Sequence, residues 1–193
     1  PERIVFIPAM GWQDYNYIKY ARVAGEDSNA VVSFHYYLPM LLSHYKMLAW
    51  VGYQGAVQYP GVVIPTQSDA DKYPQYASFH KTTYNADRIM GEMSNAASDG
   101  RNAGLAVHCG EFGCSKNVAE AMRLAWFTDM VAAMEANNIP WTLWECLDGG
   151  FGFVDMEYGI YRINCPLLKV LTGKELTDAE AKALLQKYGF KTE

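Results

Sequence analysis

A chain of 193 residues, half of them hydrophobic, is long enough to bury the core of one domain. Its net charge of −5, with no basic run or Arg/Lys stripe, argues against a nucleic-acid partner. No apolar stretch approaches the ~20 residues that cross a bilayer, so no membrane partner is expected. No signal peptide precedes the strand-like run after Pro1-Glu2-Arg3, an abrupt start that reads as an N-terminus trimmed or truncated. Four histidines lack any His-x-x-x-His pairing, and four cysteines lack any Cys-x-x-Cys, so neither a metal nor another cofactor is expected. Cys109 and Cys114 could be bridged or could be free buried thiols.

Ile4-Val5-Phe6-Ile7 predicts a first strand, and residues 15–24 a weak helix. Residues 30–34 predict the second strand. A Tyr-, Gly- and Pro-containing excursion over residues 36–82 follows it, far longer than an ordinary strand-to-helix loop and therefore a candidate for function. Ile89, Met90 and Met93 share one face of a helix predicted over residues 84–98, with Asp99-Gly100 as its stop. Leu105-Ala106-Val107 predicts the third strand, ending in a small-residue turn that presents Glu111 between Gly110 and Gly113. Asn117 and Glu120 have capping-box spacing for a helix over 118–137. Trp141-Thr142-Leu143-Trp144 predicts the fourth strand. Its loop, 145–161, leads to a helix near 163–171, and a last helix begins at Thr177, capped by Glu180.

Short strands alternating with helices argue an α/β fold with a parallel sheet covered on its faces. About four βα units are visible, half of the eight that close a barrel. Nothing marks a second domain, so residues 1–193 read as one unit. In such folds chemistry gathers just past the strand ends. Trp12 follows the first strand, His35, Tyr36 and Tyr37 end the second, Glu111 follows the third, and Trp144 and Glu145 close the fourth. An indole can stack a pyranose face and a carboxylate can meet a developing oxocarbenium ion, as in a sugar-hydrolysing cleft. Each of these residues also has a structural reading as core or loop. His108-Cys109 does not suggest a thiol nucleophile with its base, because strand neighbours point to opposite faces.

Three motifs carry a resemblance. Ser33-Phe34-His35-Tyr36-Tyr37 resembles the sixth strand of glycoside hydrolase family 5, with the family's His-x-Tyr on His35 and Tyr37. Gly110-Glu111-Phe112-Gly113 resembles the end of the seventh strand, where that family's nucleophile lies. Trp141 to Trp144, followed by Gly149-Gly150-Phe151-Gly152, resembles the eighth strand and its substrate-stacking Trp. The stretch from Leu42-Ser43-His44-Tyr45 to Tyr59-Pro60-Gly61 is similar to a long loop of bacterial β-1,4-glucanases in the family, which makes His44 a candidate substrate contact. The resemblance implies a partial (half) TIM barrel corresponding to strands five to eight. It further implies a retaining endo-β-1,4-glucanase with Glu111 as nucleophile and His35, Tyr37, Trp144, Trp12 and His44 as substrate-binding residues, acting on a β-glucan in a secreted or periplasmic setting.

The family's Asn-Glu pair, whose Glu is the general acid/base, occurs nowhere in this chain. Two readings stay open: an active hydrolase, or a weak or inactive glucan-binding half-barrel. A half-barrel exposes edges and an apolar interior, so a homodimer that covers the open side is expected. Glu145 or Asp148 of the partner would then stand near the place of the missing acid, although strand alternation would turn Glu145 away from its own cleft.

Overall fold

Four parallel strands in chain order make the central sheet of the computed structural model, which describes residues 3–23, 27–47, 52–147 and 149–193. They are β1 (Val5–Pro8), β2 (Ala30–Tyr36), β3 (Ala106–Phe112) and β4 (Trp141–Leu143), each paired in parallel with the next. Four α-helices of eight residues or more accompany them among the described residues: α1 (Ala86–Ala103), α2 (Glu120–Ala136), α3 (Cys165–Thr172) and α4 (Asp178–Lys187). None of these helices is long and apolar enough to cross a membrane.

Alternation along β2 shows how the sheet is sided. Ala30, Val32, Phe34 and Tyr36 are buried on the helix side, while Val31 and His35 lie on the other face, only partly covered. The helix side holds the core: Ile89, Met93 and Ala96 of α1, Trp126, Phe127, Met130 and Met134 of α2, and Leu167 of α3. Phe112 of β3 sits among these rings, edge-on to Phe127 at 5.9 Å and to Trp141 at 5.2 Å. The opposite face is open, and Phe6 on the edge strand β1 is 57% exposed. The sheet is therefore covered on one face rather than two among the described residues.

Several boundaries differ from those the sequence predicts, for physical reasons. The helix expected over 15–24 is a 3-10 helix, Tyr15–Tyr20, opened by the Asp14 side chain; Ala24 lies outside the described residues. Gly100 does not stop α1. The helix runs on to Ala103 and ends at Gly104, whose φ of 71° is the left-handed turn a glycine supplies. Gly100 is instead a packing position, because a Cβ there would stand 2.0 Å from Val107 Cγ2. The Asn117–Glu120 capping box does not form. Ser115 Oγ accepts the Asn117 backbone N–H, the Asn117 amide donates to Tyr45 O, and α2 starts at Glu120 with no side-chain cap. The equivalent box at Thr177–Glu180 is complete at the start of α4. Val154–Glu157, in the loop predicted over 145–161, pairs antiparallel with Ile160–Ile163, which runs past that loop's end, a hairpin the sequence reading did not contain. Cys109 and Cys114 are free and buried.

Candidate active site

Glu111 lies inside β3, not in a turn beyond it. Strict alternation would place residue 111 on the helix side with Val107 and Cys109. A bulge prevents this: Phe34 pairs with Cys109 and His35 with Glu111, so two β3 residues answer one on β2. After the bulge Phe112 takes the buried side, and Glu111 faces the open side with His35. Gly110 makes the bulge possible, since a Cβ there would stand 2.5 Å from Ser33 Oγ. At Gly113 a Cβ would meet Trp144 O at 2.3 Å and the Phe151 ring at 2.9 Å. Both glycines thus make room for neighbours within the fold.

The carboxylate is held on one oxygen. The Tyr37 hydroxyl donates to Glu111 Oε2 at 2.9 Å, and His35 Nδ1 lies 3.3 Å from the same atom. Burial, then the Glu111 charge and its hydrogen bond, push the Tyr37 hydroxyl well above the usual phenol range, so it stays a donor. Burial pulls the His35 imidazole below its ordinary 6.5 while the Glu111 charge opposes that shift. His35 and Tyr37 stand two residues apart, which puts both on the open face.

The three segments beyond β2, β3 and β4 are laced into a rim. Ser43 Oγ donates to Tyr37 O at 2.5 Å, Ser115 N–H to Ser43 O at 2.8 Å, and Lys116 N–H to Gly150 O at 2.8 Å. Trp126 Nε1 on α2 fixes Leu38 O at 3.0 Å, and Tyr59 donates to Asp129 at 2.5 Å, which seats the long 36–82 excursion on α2. His44 packs its ring 4.9 Å from Tyr37 and 5.2 Å from Phe151. Its imidazole bonds to Ser43 Oγ at 3.0 Å, and burial lowers its pKa.

Of the predicted residues, Glu111, His35, Tyr37 and His44 are brought together. Trp144, 47% exposed, follows β4 with its N–H on Phe112 O at 3.0 Å; the peptide between it and Glu145 is cis. The Glu145 charge adds, after burial and the Glu111 charge, to the upward shift of the Tyr37 hydroxyl, and Glu145 Oε1 lies 3.5 Å from the Phe151 backbone nitrogen. β4 ends at Leu143, so strand alternation no longer governs residue 145. Trp12 stands in the turn after β1, 99% exposed and at φ 62°. Asp148 lies outside the described residues. Phe151, its ring 5.8 Å from Tyr37 and 5.2 Å from His44, joins the site without having been expected, its place in a glycine-rich run having been the only signal.

A family model described as Cellulase (glycosyl hydrolase family 5) matches residues 1–150. Endoglucanase C of Acetivibrio thermocellus is 22% identical over 143 residues, which cover 70% of this chain and 39% of that protein. A solved hyperthermophilic endo-β-1,4-glucanase in complex with substrate superposes with TM-score 0.67 at 22% identity, covering 90% of this chain and 49% of the other. The cellulose synthase subunit Z of Clostridioides difficile gives TM-score 0.67 at 22% identity, over 89% of this chain and 50% of its own. The chain thus spans about two fifths of the length of the curated relatives it matches, and the structural likenesses establish a shared α/β fold with a parallel sheet.

Proposed function

The chain belongs to glycosyl hydrolase family 5, the cellulases, and on that premise we propose that it carries the nucleophile side of a retaining endo-β-1,4-glucanase, with Glu111 as the attacking carboxylate. In this reading residues 1–193 are one half-barrel unit whose four strands correspond to strands five to eight of a (β/α)8 barrel. The observation that carries it is the bulge that turns Glu111 out of the core and onto Tyr37 and His35.

The chemistry follows from the geometry. Tyr37 and His35 both contact Oε2, which leaves Oε1 to attack the anomeric carbon and form a glycosyl-enzyme ester. As the ester forms, the glycosidic bond breaks and the departing oxygen needs a proton. Trp144 supplies the exposed indole on which a glucose ring can stack, and His44 lines the same rim. A polymeric glucan does not cross a membrane, so the reading places the activity outside the cell or in the periplasm.

No Asn-Glu dipeptide occurs in the chain, and Glu145, contributed across an interface between two copies, is the carboxylate we assign to the acid/base role. The second reading is a half-barrel that binds glucan without cleaving it. Two substrates separate the readings. Carboxymethylcellulose requires protonation of its leaving oxygen, whereas a dinitrophenyl β-cellobioside has a leaving group that departs without it. A chain with both carboxylates working cleaves both, and Glu111→Gln abolishes both activities. Cleavage of the aryl glycoside alone means that Glu111 works without an acid. Binding without cleavage of either substrate would overturn the hydrolase reading.

A further inference from the structure

Arg123 of α2 is 4% exposed, a depth at which a guanidinium needs every donor answered. Its recorded hydrogen bonds go to backbone carbonyls. Nε donates to Cys114 O at 2.9 Å, and Nη2 donates to Phe151 O at 2.5 Å and Gly152 O at 2.8 Å. These carbonyls come from two separate segments, the one beyond β3 and the one beyond β4. A planar fork with fixed donor directions sets the spacing of the two segments more rigidly than a flexible ammonium could.

Phe151 is what this spacing places. The residue is 6% exposed, packed against the backbone at Gly113. Its ring stands 5.8 Å from Tyr37 and 5.2 Å from His44. Tyr37 in turn donates to Glu111 Oε2. A continuous set of contacts therefore joins a buried cation on the helix layer to the carboxylate on the open face.

We propose that Arg123 is a positioning residue for Glu111, acting through Phe151: the guanidinium clamps the two segments so that the Phe151 ring fixes the direction of the Tyr37 hydroxyl and keeps water from its flank. A clamp needed only for stability would lower the melting temperature and leave the surviving folded molecules unchanged at the rim. A positioning clamp changes the rim in molecules that remain folded. The kinetic arm of the test rests on Glu111 being the nucleophile; the spectroscopic arm does not.

The test follows the Tyr37 and His44 ring resonances by NMR, together with the rate at which a dinitrophenyl 2-fluorocellobioside labels the chain. His44 faces the Ser43 hydroxyl and the Tyr37 and Phe151 rings, and burial alone holds its pKa below the ordinary 6.5. In folded Arg123→Ala the His44 titration moves up toward 6.5 and the Tyr37 ring resonances shift. Millimolar guanidinium reverses both changes, while urea, planar but neutral, does not. Phe151→Ala gives the same movement with no rescue, because the ring itself is gone. The labelling rate at saturation falls on the order of tenfold in Arg123→Ala, with the half-saturating concentration little changed, and guanidinium restores it. Should Arg123→Ala not fold, Arg123→Lys keeps the charge without the fork and shows the same changes in smaller degree. A folded variant whose rim titrates as in the parent, or a change that guanidinium fails to reverse, overturns the proposal. If the parent chain is not labelled at Glu111, the nucleophile reading falls, and the ring resonances still decide the clamp.

Discussion

Tyr37 reaches Glu111 through a hydroxyl that burial keeps protonated, so it stays the donor to Oε2. A hydrogen bond to a charged group is worth about 1.5–3 kcal/mol. In the proposed reaction part of it is given up as Oε2 loses charge on forming the ester, and what remains is orientation of the attacking oxygen. Tyr37→Phe is therefore expected to lower kcat on the order of tenfold with KM little changed. Trp144→Ala should instead raise KM if, as proposed, the exposed indole offers stacking area to substrate and transition state alike. Steady-state kinetics on an aryl cellobioside separate the two patterns. Of these side chains, His35, Tyr37 and Trp144 could be picked out from their places at strand ends. The direction of Glu111 could not. Alternation from Val107 through Cys109 points it into the core, and only the pairing of β2 with β3 shows the extra residue at Gly110 that reverses it.

At the scale of elements, local signals succeed where no distant partner competes. Thr177 and Glu180 satisfy each other at an exposed helix start, and their box forms as the spacing predicts. Asn117 and Glu120 have the same spacing, but the rim recruits Asn117 to Tyr45 O and Glu120 receives the Asn164 amide. Gly100 is the sharper lesson, because a helix-stop reading and a packing requirement use the same residue. Gly100→Ala tests which reading is right. Helix propensity alone would give a gain of up to about 1 kcal/mol. The added methyl, 2.0 Å from Val107 Cγ2, forces α1 off β3 at a cost of about 1–3 kcal/mol. We expect a net loss, read as a melting temperature lower by about 2–4 °C. A rise in melting temperature would mean that the close approach of α1 to β3 is not what the glycine serves.

At the scale of the whole molecule, β1 and β4 are the outer strands of the sheet among the described residues, and the open face carries Ile4, Phe6 and Trp144 at 60%, 57% and 47% exposure. Such edges and patches favour association. We expect a twofold pair in which β4 of one copy lies against β1 of the other, and light scattering at micromolar concentration should report a dimer. In that pair the partner's Glu145 would stand where a barrel's fourth strand ends. Mixing inactive Glu111→Gln with inactive Glu145→Gln should then regain activity, and a monomer, or a mixture with none, removes the shared site. Stability should also depend on acid. His35, His44 and His108 are all held below 6.5, each chiefly by burial, so the unfolded chain takes up protons before the folded one. Their contribution is complete above 6.5 and is lost as pH falls through the depressed folded values. The melting temperature should therefore fall from about pH 7 toward about pH 5, and a melting temperature that stays level or rises over that interval would contradict it.

The measurement that bears most directly on Glu111 is the site of covalent capture. A dinitrophenyl 2-fluorocellobioside needs no acid to expel its leaving group, and its fluorine slows breakdown of the ester, so the trapped species reports the nucleophile even where the acid/base is lacking. Intact-mass spectrometry should show one added 2-fluorocellobiosyl group per chain. Peptide mapping should place it on Glu111, with no label acquired by Glu111→Gln. A label on any other carboxylate, or none on a folded chain that binds cellobiose, contradicts the account.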